Sequence, residues 1–362
     1  MTRKLALALL FGGRSSEHSV SVATAGGVIG ALDPEKYDIL PIGITRAGGY
    51  VLGSTDPADY FMGDGRMPEV HDDGSRVLWP AEASSRELTV IAPDGSSRAV
   101  KVDVVFPILH GRWGEDGTVQ GMLELVDLPF VGSGVLASSL GMDKHYMKTA
   151  FVAAGLPVAP WSIVSRRQWA EDREAVEDAA ESLGYPVFVK PARAGSSVGV
   201  GKATDASELA AVVEAALIED SRALIEPTLV GREIEIAVLG SPGGRRPRAS
   251  VAGEVVLTGR EFYDFEGKYL GGDGVDLQCP ARLDDAQLAE MQDLAVRAFE
   301  AIGAEGLSRV DFFLTDAGWV INEINTMPGF TPISMYPKCW EASGLAYPAL
   351  IDELISLALD EG

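Results

Sequence analysis

The sequence predicts an α/β protein of two or three domains, and three observations predict it. Runs of β-forming residues alternate with helical patterns along the chain, as in layered α/β folds. The chain has 362 residues, more than one ordinary core holds. Hydrophobic content of 46%, with charges of both signs, marks a chain that folds. No internal repeat or low-complexity tract breaks the pattern.

The elements follow in order. "KLALALLF", "YDILPIGI" and "VDVVFPILHG" read as buried strands. Residues 45–100 are rich in Gly, Pro, Asp and Ser and read as hairpins and loops. "TVQGMLELVDLPFVGSG" reads as helix then strand, closing a first unit, 1–140. A second unit, 141–229, starts with a helix over 142–154 that ends at Gly155. Strand "PVAPWSIV", a helix over 166–183 and strand "YPVFVKPA" come next. The loop "RAGSSVGVG", a helix over 205–219 and strand "ALIEPTLV" complete it. The third unit, 230–362, has its best helix at 285–302. Asp284 is its N-cap, with Gln287 three residues on, and Gly303 ends it. Leu288, Met291, Ala295, Ala298 and Ile302 form one apolar stripe, which packs the helix on a sheet.

Composition excludes several classes. No apolar run approaches the roughly 20 residues of a membrane span. The start, "MTRKLALALLFGG", runs straight into a glycine turn without a cleavage site, so it reads as a first strand rather than a signal peptide. Cys279 and Cys339 stand far apart with no partner motif, which favours a reducing cytoplasm over a disulfide framework. Four histidines in no ligand spacing argue against a zinc site. A net charge of −23 argues against a nucleic-acid surface. It leaves room for a nucleotide, which arrives with its own metal ions.

The stretch "GLSRVDFFLTDAGWVINEINTMPGF", residues 306–330, reads as a hairpin with charged groups where a plain strand carries Val or Leu. Alternation puts Leu307, Arg309, Asp311 and Phe313 on one face, and Trp319, Ile321, Glu323 and Asn325 on one face of the return strand. With "DAG" as a three-residue loop and Gly318 left-handed, Asp311 stands opposite Glu323 and Arg309 opposite Asn325. Opposed side chains lie about 4.5–5.5 Å apart at Cβ, and like charges so placed repel. Two carboxylates held in this way call for a cation, and Asp, Glu and Asn are hard oxygen donors suited to Mg²⁺ or Mn²⁺. Spacing alone is equally consistent with a solvated polar face.

Other stretches carry two readings each. "FGGRSSEHSVSVATAGG" suits an anion at a helix N-terminus, or an ordinary turn capped by Ser15 or Ser16. It is not the G-x-G-x-x-G dinucleotide fingerprint. "VKPARAGSSVGVGK" places Lys190 at a strand end before a loop that suits a phosphate lid or a mobile surface. It is not a Walker loop, since Ala203 replaces Ser/Thr. "LHGRWGEDGTVQG" puts His110 at a strand's C-terminal end, where open α/β sheets bind ligands. "EFYDFEGKYLGGDG" reads as a lid or an exposed loop held by its aromatics.

The order of these stretches is more specific than any one of them. From "LALLFGGRSSEHSVS" through "HGRWGEDGTVQG", "MDKHYMK", "VKPARAGSSVGV", "YDFEGKY" and "SRVDFFL" to "NEINTMPGFTPISMYP", nearly the whole chain resembles the D-alanine–D-alanine ligases of the ATP-grasp superfamily. The resemblance implies an ATP-grasp fold with an N-terminal doubly wound α/β domain, and two further domains (α+β in character) that clamp ATP. It implies ATP-dependent joining of two D-alanines for peptidoglycan, through a D-alanyl phosphate.

Site roles are carried over with it. Asp311, Glu323 and Asn325 match the metal ligands, with Glu323 bridging two Mg²⁺ or Mn²⁺ ions. Arg309 and the Gly329 amide match the groups that stabilise the negative oxygens. Lys144 and Lys190 match lysines on the ATP phosphates, and Ser197, Asn322 and Lys268 join them on the nucleotide. Glu226 and Glu233 match positions that hold adenine and ribose. Glu17 matches the acceptor of the first ammonium, with His110 nearby. Ser196 and Tyr269 match its partners in a network that closes the site. Ser334 and the Met335 backbone match the holders of the second carboxylate. One departure is Pro227, which leaves no amide donor after Glu226. The family also implies a homodimer. Competing readings are a D-alanine–D-lactate ligase, another ATP-grasp carboxylate–amine ligase, and a non-catalytic ATP-binding regulator. The intact acidic hairpin argues against the regulator.

Overall fold

Residues 3–61, 67–195, 197–257 and 274–360 are described by the computed structural model. The first sheet has the order β3-β2-β1-β7, from Tyr50–Leu52, Tyr37–Ile44, Leu5–Gly12 and Val104–Pro107. β1 runs parallel to both β2 and β7. A central parallel strand is buried on both faces, which is why β1 reads as a near-continuous apolar run. Leu7, Leu9 and Phe11 point to helix α1 (His18–Ala31) and to the C-terminal helix Tyr347–Asp360. Ala8 and Leu10 point the other way, to α2 (Thr118–Leu125) and to a small sheet. That sheet is β4-β5-β6, Arg76–Leu78, Glu87–Ile91 and Ser97–Lys101. It is what the loop-rich 45–100 segment builds.

The C-terminal helix leaves the unit to which chain order assigns it. Leu350, Ile351, Leu354 and Ile355 share a core with Leu7, Leu9 and Val28. Asp352 accepts from Lys36 Nζ at 2.6 Å and from Tyr37 Oη at 2.8 Å. At the other boundary, α3 (Val135–Met142) runs across residue 140 and contacts α4 (Lys144–Ala153).

The second sheet, β10-β9-β11-β8, is antiparallel and uses Gly201–Ala203, Val187–Pro191, Arg222–Pro227 and Ser162–Ser165. Val187, Val189 and Ile225 pack on α6 (Arg173–Leu183) and α7 (Ala206–Glu219). Two expected elements are shorter than the sequence suggests. The helix expected over 166–183 breaks at Asp172 into α5 (Arg166–Glu171) and α6, because Asp172 takes an extended φ of −146°. Of the strand expected from Pro157, only 162–165 pairs within the sheet, and Val158 makes a single bridge to Ile321. Two prolines, Pro157 and Pro160, remove the donors a longer ladder needs.

The third sheet, β14-β13-β12-β15-β16, is antiparallel. Its strands are Val275–Gln278, Arg248–Leu257, Arg232–Leu239, Leu307–Thr315 and Gly318–Asn325. The helix Asp285–Ala301 covers one face with Met291, Ala295 and Ala298, close to the expected span and stripe. Its capping box is present: Gln287 N donates to Asp284 Oδ1 at 2.8 Å, and Asp284 N to Gln287 Oε1 at 3.1 Å. On β12, Ile234, Ile236 and Val238 face that helix. The opposite face begins with Glu233 and Glu235, which line a cleft, and ends with Ala237 and Leu239, which join the first core. One strand thus serves a site and a core with the same face. Among the described residues, no single helix is long and apolar enough to cross a membrane.

Candidate active site

The β15–β16 hairpin sets the register of the site. Arg309 pairs with Asn325 and Asp311 with Glu323, as expected from sequence, but by a different route. The loop has two residues, not three, since Thr315 pairs with Gly318, whose φ is +113°. A shift between Asp311 and Phe312 leaves Asn322 as the extra residue of a bulge, which restores the register. The bulge also corrects the face assignment. Trp319 and Ile321 turn into the core with Ile324, while Glu323 and Asn325 line the cleft. Without the bulge, two large apolar side chains would stand where the carboxylates are needed.

Three acidic residues lie side by side on adjacent strands. Glu235 pairs with Asp311, and Asp311 with Glu323. Arg309 sits among them. Its Nε and Nη2 donate to the two Asp311 oxygens at 2.7 Å each, and its Nε lies 3.1 Å from Glu235 Oε2. Burial works against the Arg309 charge, but Asp311 and Glu235 outweigh it and hold the guanidinium protonated. Asn325 Nδ2 donates to Asp311 Oδ2 at 3.1 Å. Glu323 Oε2 lies 3.4 Å from Lys144 Nζ. Among the described residues, no three His, Cys, Asp or Glu side chains are grouped to hold an ion. Asp311, Glu323 and Asn325 still fit a hard divalent cation by donor type and by their shared face, with Arg309 and Lys144 now balancing the carboxylates.

Glu226 holds two lysines together. Its oxygens lie 2.5 Å from Lys148 Nζ and 2.8 Å from Lys190 Nζ. Burial raises the Glu226 pKa, but the two ammonium groups overrule it and bring the carboxyl down to about 2. Burial lowers the Lys148 pKa, whereas Lys190 is raised because Glu226 overcomes its burial. Two ammonium groups share one carboxylate, so the trio keeps net positive charge. Lys190 also donates to Asn322 Oδ1 at 3.3 Å. Lys148 was not singled out from sequence. Its signal was there: it lies four residues after Lys144 on α4, one helical face. Glu235 and Glu115 were missed too. Glu235 follows Glu233 at strand spacing, and Glu115 sits inside the quoted His110 stretch.

The loop after β1 forms the far end. Glu17 takes the N-cap of α1 without a side-chain cap bond. Neither Ser15 nor Ser16 takes the N-cap position expected of it. Ser15 Oγ donates to the His110 carbonyl at 2.7 Å and accepts from Glu17 N at 3.2 Å. This joins the β1 and β7 loops. A Cβ at Gly111 or Gly195 would stand 2.7 or 2.9 Å from Glu17 Oε2 and push the carboxylate aside, and Gly111, at φ +74°, also takes a backbone conformation that favours glycine. His110 is buried and its Nδ1 donates to Met327 O at 3.1 Å. Burial keeps the imidazole neutral, against the pull of Glu17, so buried Nε2 is an acceptor with no partner among the described residues.

Burial, then the charge of Glu17, push the Glu115 carboxyl up to about 8, while its bond from Gly111 N (2.7 Å) opposes them. A raised carboxyl holds its proton in the folded state after the unfolded chain has released it. Stability therefore falls as pH rises from the ordinary carboxylate range through about 8. Glu115→Gln is expected to match the wild type in acid and to gain about 1–2 kcal/mol at alkaline pH. Thermal melts of the ligand-free protein across pH check this, and parallel curves would contradict it.

Ser334 begins the helix Met335–Ala342. Its Oγ accepts from Thr331 N at 3.2 Å and lies 2.7 Å from Thr331 Oγ1. A Cβ on Gly329 would stand 3.3 Å from the same Oγ. Met335 lies against Gly253, where a Cβ would meet its Sδ at 2.1 Å.

One cleft of about 1250 Å³ brings most of these groups together. Glu17, His110 and Glu115 line one part, Lys144, Lys190, Ser197 and Glu233 another. Arg309, Asp311, Asn322, Glu323 and Asn325 lie on the sheet wall, with Gly329, Ser334 and Met335 beyond. Glu226 does not line it: its carboxylate is turned to the lysines, and Pro227 takes the wall. Ser196, Lys268 and Tyr269 lie outside the described residues, as does all but the last residue of the stretch "EFYDFEGKYLGGDG" read as a lid.

Comparison with known proteins agrees with this layout. The family described as D-ala D-ala ligase N-terminus matches residues 6–133, and D-ala D-ala ligase C-terminus matches 150–356. A D-alanine–D-alanine ligase of Paenarthrobacter aurescens is 52% identical, over 99% of this chain and 96% of its own. One from Streptomyces griseus is 49% identical over 99% and 93%. Among solved structures, the D-alanine–D-alanine ligase of Coxiella burnetii superposes with a TM-score of 0.82 at 35% identity, covering 99% of this chain and 94% of the other. The VanG D-Ala:D-Ser ligase of Enterococcus faecalis gives 0.84 at 34%, covering 98% and 100%.

Proposed function

This chain belongs to the D-alanine–D-alanine ligase family, and on that premise we propose that it joins two D-alanines, converting ATP to ADP and phosphate, to supply peptidoglycan synthesis. The observation that carries the reading is the placement of Arg309 and the acidic hairpin in one cleft, between the Lys144–Lys190 end and the Glu17–His110 end. Lys144, Lys190, Ser197, Asn322 and Lys268 hold the ATP phosphates, and Glu233 the ribose. Glu226 acts on the nucleotide chiefly by fixing the two lysines, with the Pro227 wall beside the adenine. Asp311, Glu323 and Asn325 would hold two Mg²⁺ or Mn²⁺ ions, which when bound would neutralise the triphosphate.

A carboxylate is a poor electrophile, so the first D-alanine is phosphorylated before it is joined. Glu17 and the His110 Nε2 acceptor hold its ammonium and aim its carboxylate at the γ-phosphoryl group. Ser334 and the Met335 amide, at a helix N-terminus, hold the second carboxylate. The second amine, once deprotonated, attacks the D-alanyl phosphate. Arg309 and the Gly329 amide stabilise the oxygens that gain charge in both steps. Phosphate then leaves. Ser196 and Tyr269 close the network around Glu17.

The division into 1–140, 141–229 and 230–362 goes with this reading, except that α3 crosses residue 140 and the C-terminal helix packs on the first unit, and so do a homodimer and a cytoplasmic location. ADP release with ATP, Mg²⁺ and equal D-alanine, D-lactate and D-serine, analysed by product mass, tests it. D-Alanyl-D-alanine is expected to dominate at mildly alkaline pH and to lose ground to D-alanyl-D-lactate as pH falls, since less free amine remains. Mainly D-alanyl-D-lactate or D-alanyl-D-serine would overturn the assignment of the second substrate.

A further inference from the structure

We infer that Cys279 and Cys339 form an oxidisable dithiol that closes to an intrachain disulfide and tethers the acceptor end of the cleft. They are the chain's two cysteines, 60 residues apart, and the fold brings their Sγ atoms to 3.7 Å. Both are free thiols. Disulfide formation needs an S–S distance of about 2.0 Å, so the two sulfurs have about 1.7 Å left to close.

The two thiols are unequal. Cys279 is half-buried, just beyond β14, while Cys339 is fully buried in the helix Met335–Ala342. The bond with Cys339 draws the Cys279 thiol down against its burial, and Lys338 helps. The bond with Cys279 and burial push Cys339 up. One thiol is thus the accessible nucleophile and the other the resolving thiol behind it.

With hydrogen peroxide as oxidant, the Cys279 thiolate attacks one peroxide oxygen. The O–O bond breaks, hydroxide leaves and a sulfenic acid remains. The Cys339 sulfur then attacks the Cys279 sulfur. The S–S bond forms, the S–O bond breaks, and water leaves with the Cys339 proton. In sum, two thiols and one peroxide give one disulfide and two waters. A dithiol reductant reverses it.

The bond would join the β13–β14 edge to the helix whose first turn carries Ser334 and Met335. Cys279 Sγ already lies 4.0 Å from Ala252 O, and neighbouring Gly253 packs on Met335. This second half rests on the ligase reading; the chemistry of the thiols does not.

The experiment is peroxide treatment of the full chain, alkylation after unfolding, and intact mass. The wild type is expected to lose both alkylation sites, to become lighter by two hydrogens, and to recover both sites with dithiothreitol. Cys339→Ala should accumulate a dimedone-reactive Cys279, and Cys279→Ser should leave Cys339 unmodified. Sulfinic acid at Cys279 with Cys339 still alkylatable, or disulfide-linked dimers, would overturn the dithiol. The oxidised enzyme is expected to show a several-fold change in KM for the acceptor D-alanine, absent in Cys279→Ser, with little change for ATP. A disulfide that forms and leaves that KM unchanged would overturn the tether. Absence of ligase activity in the reduced enzyme would instead count against the ligase reading.

Discussion

Glu323→Gln is expected to lower turnover by about three orders of magnitude, on the order of 4 kcal/mol in the transition state, while the protein stays folded. The two effects separate because Glu323 serves two environments. In the ligand-free protein it is a partly exposed carboxylate, with Lys144 as a long-range partner at 3.4 Å. Losing such a pair costs about 1 kcal/mol or less. Gln also keeps the shape, so the bulged strand and its core residues Ile321 and Ile324 are undisturbed. On the proposed reading, the same position would face divalent metal ions and the transferring phosphoryl group in the loaded enzyme. There a neutral amide oxygen would replace an anionic ligand, beside Asp311, whose oxygens already accept from Arg309 and Asn325. ADP release at limiting and saturating Mg²⁺, with thermal melts in parallel, decides it. Wild-type turnover at limiting Mg²⁺ would remove Glu323 from the metal site.

Arg309→Lys is expected to reduce kcat by about 10²–10³, on the order of 3–4 kcal/mol, with a much smaller change in KM for ATP. The planar fork makes two bonds to Asp311 and approaches Glu235. These partners hold it rigid, so on the proposed reading it would meet the developing oxygens without reorganising. Lysine offers one ammonium on a flexible stem and cannot span two acceptors. It also leaves Glu235 or Asp311, both buried, with fewer donors, so some loss of stability accompanies the change. Steady-state kinetics with both substrates varied separate the roles. An unchanged kcat with a weakened KM would mean that Arg309 binds only the ground state.

Much of this was legible before any coordinates. The continuous apolar run of β1 marked a doubly covered parallel strand, and the Asp284–Gln287 capping box marked the start of the helix it begins. Arg309, Asp311, Glu323 and Asn325 were readable as an acidic hairpin, because strand alternation is a local property of backbone geometry. The family motifs, being local in sequence, pointed to the same positions and to many of the residues that line the cleft.

Only the tertiary structure decided the rest. The bulge at Asn322 turns on whether Trp319 and Ile321 find a core to fill, which is settled by the helix Asp285–Ala301 on the far side of the sheet. Glu235 joins Arg309 because β12 lies next to β15, a non-local pairing. Lys148 and Lys190 share Glu226 through elements far apart in the chain. The C-terminal helix covers the first sheet, and two cysteines without a motif come within 3.7 Å. Sequence pattern fixes what a segment prefers by itself; which buried charge meets which partner depends on long-range packing, and packing is a property of the whole fold.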